Sequence, residues 1–318
     1  MTDSHYVGID IGGTKMEVIV VDSQFTLRGS ARQPTITTSP EAFLTGLTGA
    51  VVKSLNEAGL DSHSVTALGV GIPGQVDQSQ GEVRLAVNLG LDRFPLGEAL
   101  SARFEAPAIL ENDVRAAALG TYHHMNSNGS LRSLAYLGIG TGISAGLIVD
   151  GKLYRGAHGM AGEIGHIVVE QDGLQCICGQ RGCLETIAAG PAIVDHALRA
   201  GLPGVDESNA AEVVYSLAEK GDPQAQEIVN KVAHHLARAV QWLIMTYDVE
   251  KVVLGGGVTG AGPAFLATML SELAEFRRHS RLATEMLPDS KVALSPADFN
   301  AGAWGAVRMA QQITKTHQ

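Results

Sequence analysis

Cysteine is almost absent from this chain of 318 residues: there are three, Cys176, Cys178 and Cys183, all in one short stretch. An odd, clustered set does not build a disulfide framework and favours metal binding. Positive charge is also in deficit, with 23 Lys and Arg against 33 Asp and Glu for a formal charge of -10. That argues against a nucleic-acid partner, which needs clustered cations to neutralise phosphates. A small anionic ligand stays open, because backbone amides bind phosphate without net positive charge. No apolar run reaches the roughly 18 residues of a membrane span. The polar start, Met1 to Tyr6, and the glycine-interrupted run after it do not make a secretory leader. A cytoplasmic protein without membrane partner is expected. Low-complexity linkers are lacking too.

What is present is a chain with 45% hydrophobic residues, long enough for two domains with a core each. Tyr6 to Ile11 and Met16 to Val21 are apolar runs about Gly12-Gly13-Thr14-Lys15, the pattern of a β-hairpin. Ser39-Pro40-Glu41 places a capping hydroxyl, a first-turn proline and a first-turn acid before an amphipathic segment ending at Gly59, which predicts a helix. Val65 to Ile72 and Ala108 to Leu110 read as strands, and Asp113 to Tyr122 as a helix. A second hairpin, Ser133 to Ile139 and Ile143 to Val149 about Gly140-Thr141-Gly142, repeats the first and suggests duplicated halves. Asp222-Pro223 opens a long helix with Ile228, Val232, Leu236, Val240, Leu243 and Tyr247 on a core face. A strand at Lys251 to Leu254 runs into Gly255-Gly256-Gly257, and Ala301 to Ile313 has helical spacing. The alternation of elements is that of an α/β protein.

Candidate chemistry gathers at the turns. Asp10, Gly12, Gly13, Thr14 and Lys15 combine an acid at a strand end with glycines, a hydroxyl and a cation. Glycine lets backbone N–H groups approach phosphate oxygens, and the acid can hold Mg2+ through water. The spacing is not that of a P-loop. One glycine hairpin is more often just a turn; with Gly140-Thr141-Gly142 and Gly255-Gly256-Gly257 also following strands, such turns could surround a nucleotide. Gly69 to Gly74 matches G-x-G-x-x-G, with Asp92 at about the distance of a ribose acid. Pro73 sits inside that turn and Gln75-Val76-Asp77 does not open a helix, so a dinucleotide site is rejected. Glu111-Asn112-Asp113 lies between a strand and a helix, where an acid can simply cap. A carboxylate beside an amide also suits binding a sugar hydroxyl and accepting its proton, and phosphoryl transfer needs one such base.

His166 with Cys176, Cys178 and Cys183 supplies one imidazole and three thiolates, the complement of a closed, structural tetrahedral Zn2+ site. The plainer alternative is three free thiols. Glu163 and Glu185 flank this loop, where a fixed metal would hold both carboxylates for hydrogen bonds from sugar hydroxyls. His166 would then put one ring nitrogen on zinc and the other near the sugar. His123-His124 and His234-His235 are expected at the surface, and His158 beside the binding loop.

Asp10-Ile-Gly-Gly-Thr-Lys15, Glu111-Asn-Asp113, Gly140-Thr-Gly142, the run from Gly151 to His166 and Cys176-Ile-Cys-Gly-Gln-Arg-Gly-Cys-Leu-Glu185 together resemble the ROK sugar kinases, in order and over nearly the whole chain. The resemblance implies an actin-like ATPase (ribonuclease H-like) fold, two α/β domains around a cleft. Residues 1–112 plus 301–318 would form the N-terminal domain, and 113–300 the C-terminal domain carrying the zinc loop. It implies transfer of the ATP γ-phosphate to a hexose 6-hydroxyl, with Asp113 as general base and Mg2+ accompanying ATP. Asn112, Glu163, His166 and Glu185 would bind the sugar, with Gly74 lining the pocket and Asn88 beside it. Gly12, Gly13, Thr14, Gly140, Thr141 and Gly142 would face the phosphates, and Gly255, Gly256 and Gly257 the adenosine. Glucose is the first expectation, N-acetylmannosamine or N-acetylglucosamine the next, in a homodimer or homotetramer. The chain departs from the family pattern in lacking a tryptophan near Asn88, in Val114-Arg115, and in Ser144 where glycine is frequent. The family's repressors carry an N-terminal helix-turn-helix, which a phosphate loop starting at Asp10 does not accommodate. A non-catalytic sugar sensor is the alternative of another class; retention of Asp10 and Asp113 speaks against it.

Overall fold

In a computed structural model, residues 4–206 and 208–316 are described; the ends of the expected N-terminal domain, 1–3 and 317–318, lie outside them. The chain opens with the hairpin β1 (His5–Ile11) and β2 (Lys15–Val21), followed by β3 (Leu27–Pro34), a strand the apolar pattern does not reveal because most of its residues face solvent. Helix α1 (Pro40–Glu57) starts where Ser39 Oγ accepts the Ala42 N–H at 3.2 Å. Next come β4 (Val65–Ile72), the short strands β5 (Gln75–Asp77), β6 (Glu82–Ala86) and β7 (Leu91–Phe94), α2 (Leu96–Phe104), β8 (Ala108–Asn112) and α3 (Asp113–Met125). β5 directly follows the Gly69 to Gly74 turn, so no helix N-terminus stands there for a pyrophosphate.

A second series begins with β9 (Leu134–Ile139), β10 (Ile143–Val149) and β11 (Lys152–Tyr154). After the cysteine loop come α4 (Glu185–Ala188), α5 (Gly190–Arg199), α6 (Ala210–Glu219) and α7 (Pro223–Tyr247). Then follow β12 (Lys251–Gly255), α8 (Pro263–His279), α9 (Arg281–Met286), β13 (Val292–Leu294) and the last helix, α10 (Ala301–Thr316). Asp222 caps α7 as predicted, its Oδ1 accepting from Gln224 and Ala225, and the apolar face from Ile228 to Leu243 is buried. Tyr247 departs from that face: it is 39% exposed, with its ring 6.2 Å from that of Tyr154.

The chain divides into two compact units. The first holds residues up to Asn128, Arg155–Met160 and the chain from Asn300; the second holds Gly129–Tyr154 and Ala161–Phe299. Each has a five-stranded sheet of one pattern, β3-β2-β1-β4-β8 and β11-β10-β9-β12-β13. In both, an antiparallel hairpin is extended by two parallel strands. The first unit does not stop at residue 112, because α3 packs against α10 and β4 instead of opening the second unit.

Strand side chains alternate between faces, and in β1 that parity separates two cores. Val7, Ile9 and Ile11 join Phe43, Leu47 and Val51 of α1, while Tyr6 joins Ala303, Val307 and Ala310 of α10. Each large side chain so buried contributes about 1.5–3 kcal/mol. On the α10 face several positions carry no side chain. A methyl on Gly69 would overlap the carbonyl oxygen of Ala306, and one on Gly305 that of Ala116. The last helix therefore rests on strand and helix backbone. Gly305→Ala is expected to destabilise the chain by about 1–3 kcal/mol through overpacking, read as a lower urea midpoint; a midpoint at or above wild type would refute this close approach.

Candidate active site

β1, β4 and β8 run parallel, with Asp10 opposite Gly71 and Gly71 opposite Glu111, so their C-terminal ends lie side by side. In open α/β sheets that edge is where ligands bind. Asp10, two residues on from Gly8, shares the α10 face, and its carboxylate lies against Gly302 in the first turn of that helix. Asn300 caps α10, its Oδ1 accepting the Ala303 N–H at 2.8 Å, while its side chain also hydrogen-bonds Asp10. Burial, then the charge of Asp113, push the Asp10 pKa up to about 7 despite that bond.

Asp113 is the first residue of α3, but the cap belongs to Asn112, whose Oδ1 accepts from Val114 at 3.1 Å and Arg115 at 3.2 Å. The Asn112 amide donates to the Gly74 carbonyl at 3.3 Å, so Gly74, Asn112 and Asp113 are brought together. The turn from Gly12 is closed by its N–H to the Lys15 carbonyl at 2.8 Å and by Thr35 Oγ1 to Gly12 O at 2.8 Å. Gly13, Thr14 and Lys15 are exposed on it. Asn88 is exposed on the helical turn after β6.

The second unit gathers another set. The turn at Thr141 is closed by the Gly140 N–H to Gly142 O at 2.9 Å, and Glu185 Oε2 accepts the Ile143 N–H beside it at 2.9 Å. Gly256 backs onto Ile139, so the turns at Gly140–Gly142 and Gly255–Gly257 stand next to each other. Tyr136 from β9 fills the space under Gly255. Glu163 is exposed just before a helical turn, Ile164–His166.

The cysteine loop folds back on itself through bridges Val168 to Cys183 and Gln175 to Arg181. Its four candidate ligand atoms lie within 4.8 Å of one another. Cys176 Sγ is 3.5 Å from His166 Nδ1, and Cys178 Sγ is 3.6 Å from Cys183 Sγ. Tetrahedral zinc with ordinary bond lengths gives N–S and S–S edges of about 3.5 and 3.8 Å. Without a cation, burial first and then the neighbouring thiols push Cys183 up to about 12. A divalent ion would reverse that preference and hold the thiolates. The four residues fit a closed tetrahedral metal site.

The sequence matches the ROK family over residues 6–313. The chain belongs to the ROK family. A glucokinase of Halalkalibacterium halodurans is 32% identical, with 84% of each chain covered. An N-acetylmannosamine kinase of Escherichia coli O157:H7 is 33% identical over 85% of this chain and 88% of its own. The crystal structure of a ROK glucokinase from Streptomyces griseus in complex with glucose and AMPPNP superposes with a TM-score of 0.80 at 29% identity, covering 97% of this chain and 99% of that one. The duplicated sheets described above are those of the actin-like ATPase fold of ROK sugar kinases. Among the described residues, no helix is long and apolar enough to cross a membrane.

Some of the structure's contributors were not legible. Asn300 and Gly302 touch Asp10 from the far end of the chain, and Arg155 reaches Glu111 across 44 positions; neither pairing has a local pattern. Of the histidines expected at the surface, His123 and His235 are half-buried, and burial lowers the His123 pKa to about 4.

The Asp10 shift has a consequence for stability. A carboxyl raised from 3.8 to about 7 binds its proton more tightly in the folded state. The stability this gives is fully present below pH 3.8 and is lost as pH rises through about 7. In magnesium-free buffer, Asp10→Asn should melt above wild type at pH 8, with the advantage vanishing toward pH 4. Equal melting temperatures at pH 8 would show that the carboxylate is not strained there.

Proposed function

We propose that this ROK chain phosphorylates a hexose at its 6-hydroxyl with ATP, glucose being the preferred sugar. The observation that carries the proposal is the placing of Asp10, near the end of β1, and Asp113, just past the end of β8, at the same edge of one sheet on either side of β4, one carboxylate raising the pKa of the other. Two like charges so placed suit a cation and a proton acceptor better than a structural role.

In this reading Asp113 accepts the proton of the sugar 6-hydroxyl. The freed oxygen forms a bond to the γ-phosphorus, and the bond from that phosphorus to the β–γ bridging oxygen breaks, its electron pair leaving with ADP. Mg2+ bound with ATP supplies charge neutralisation at the phosphate oxygens; Asp10 would hold it through water. The turns of Gly12, Gly13 and Thr14 and of Gly140, Thr141 and Gly142, each closed by the N–H of its first glycine, would meet the phosphates together with Lys15, and Gly255 to Gly257 the nucleoside. Asn112, Gly74, Asn88, Glu163, His166 and Glu185 would take the sugar. The metal of the cysteine loop is zinc in this proposal, structural because four protein ligands leave no open position. Use of ATP and cysteines outside any disulfide fits the cytoplasm.

The similarity to an N-acetylmannosamine kinase supports a second reading, an N-acetylhexosamine as acceptor. A coupled ADP-release assay across glucose, mannose, fructose and both N-acetylhexosamines separates the two. Sugar binding without ADP release from any of them would instead indicate a sensor.

Asp113→Asn should fold and bind sugar while losing about 10³-fold or more in kcat, since a base that touches the reacting proton has no substitute; turnover within tenfold of wild type would end the assignment. Cys178→Ser should lose bound zinc by elemental analysis and expose the loop around Ile177 to protease. Retention of one zinc per chain in that variant would rule out the proposed ligand set.

A further inference from the structure

Glu111 is an acid that the proposed chemistry leaves unused, and it is buried, with only 3% of its side chain exposed. Both carboxylate oxygens are occupied. Oε1 accepts from Arg115 Nε at 2.7 Å and from the Asn112 N–H at 2.9 Å, and Oε2 accepts from Arg155 Nε at 2.6 Å. Arg115 is itself 5% exposed, and its other arm, Nη1, donates to the Gly159 carbonyl at 2.7 Å. Arg155 is 38% exposed. Burying such charges is costly unless every one is paired and hydrogen-bonded, and here they are.

The partners define what the network holds. On one side is the backbone that leads from Glu111 into Asn112 and Asp113. On the other is Arg155–Met160, a piece of the first unit whose chain neighbours on both sides belong to the second. The segment is gripped twice, at its first residue by Glu111 and near its end by Arg115. Gly156 between the grips, Gly159 at the second and Gly162 beyond it have φ of 74°, 70° and 98°, a region other residues rarely enter. A backbone so rich in glycine does not fix its own path. Three residues past Met160 the chain reaches Glu163, and six past it His166.

We propose that Glu111, through Arg155 and Arg115, is a positioning residue for sugar binding: it fixes the start of the segment that carries Glu163 and His166 to the same carboxylate that steadies Asn112 and Asp113. The inference rests on the sugar-kinase reading. It assigns Glu111 no contact with substrate and no part in binding the nucleotide.

The test begins with Arg155→Gln, because Glu111 keeps Arg115 and no buried charge is stranded. The variant should keep its zinc and melt within a few degrees of wild type. Its KM for sugar should rise about tenfold while the KM for ATP stays within about twofold, and Arg155→Lys should recover most of the loss. Unchanged sugar KM, or equal changes in both KM values, would overturn the proposal. Hydrogen exchange of the unliganded protein gives a second arm. Amides of residues 156–160 should exchange about tenfold faster in Arg155→Gln and in Arg115→Gln, with the β9–β10 hairpin unaffected; unchanged rates would refute the clamp. If wild-type protein releases no ADP with any sugar, the functional reading fails, and the exchange arm still decides whether the clamp exists.

Discussion

The first unit depends on a helix lying directly on backbone. Side-chain parity in β1 and β4 puts Gly8 and Gly69 on the face that meets α10, and Gly120 of α3 and Gly305 of α10 remove the remaining obstacles. The helix then comes close enough for its first turn, with Gly302, to sit against Asp10. Asn300 is shared between capping that helix and bonding the acid. The N-terminal end of a helix favours negative charge, yet burial and Asp113 outweigh it and leave Asp10 near a pKa of 7. The folded state thus disfavours the ionised form of Asp10, a cost that the cation proposed above would offset, as in other exchanges between stability and activity.

In the second unit the corresponding dependence runs along the chain from the cysteine loop. Cys183 is fully buried, Leu184 donates its N–H to Ile167 O at 2.9 Å, and Thr186 Oγ1 donates to Cys183 O at 2.7 Å. Those bonds fix the start of α4, whose first residue is Glu185. Glu185 in turn accepts the N–H of Ile143 at the end of the Gly140–Gly142 turn. A further anchor ties the loop to α7, where Lys231 and His235 reach Glu170 at 3.0 and 3.5 Å. The sequence reading linked the metal to the sugar through Glu163, His166 and Glu185. The hydrogen bond from Ile143 joins Glu185 to the glycine turn as well, which spacing alone does not display.

Legibility followed the range of the interaction. The hairpins, the Ser39 and Asp222 caps and the cysteine cluster were readable because each is decided within a few residues by a turn, a hydroxyl or a ligand set. β3 shows no apolar signature because its burial alternates around arginine and glutamine, and the extension of the first unit past residue 112 shows none because helix α3 carries no local mark saying which sheet it serves. The cap at the start of α3 went to Asn112 over its acidic neighbours, since Asp113 is already helical and Glu111 is turned to its arginines. Arg115, a departure from the family pattern, has partners distant in sequence as well as near, which no local pattern displays.

The two sheets share one pattern, and aligning their hairpins shows where they diverge. Gly12 closes the first turn on Lys15 O, and Gly140 closes the second on Gly142 O. Counting back from those glycines, Ile11 matches Ile139 and Asp10 matches Gly138. The first copy therefore ends its central strand with a carboxylate, while the second, at the same point, offers no side chain and pairs Gly138 with Gly255 of β12. A carboxylate there would add repulsion where only backbone N–H groups are wanted for an anion. In the proposed function one hairpin design thus ends differently in the two units: the first adds the Asp10 carboxylate for a cation to its glycine turn, and the second would offer phosphate only neutral backbone donors.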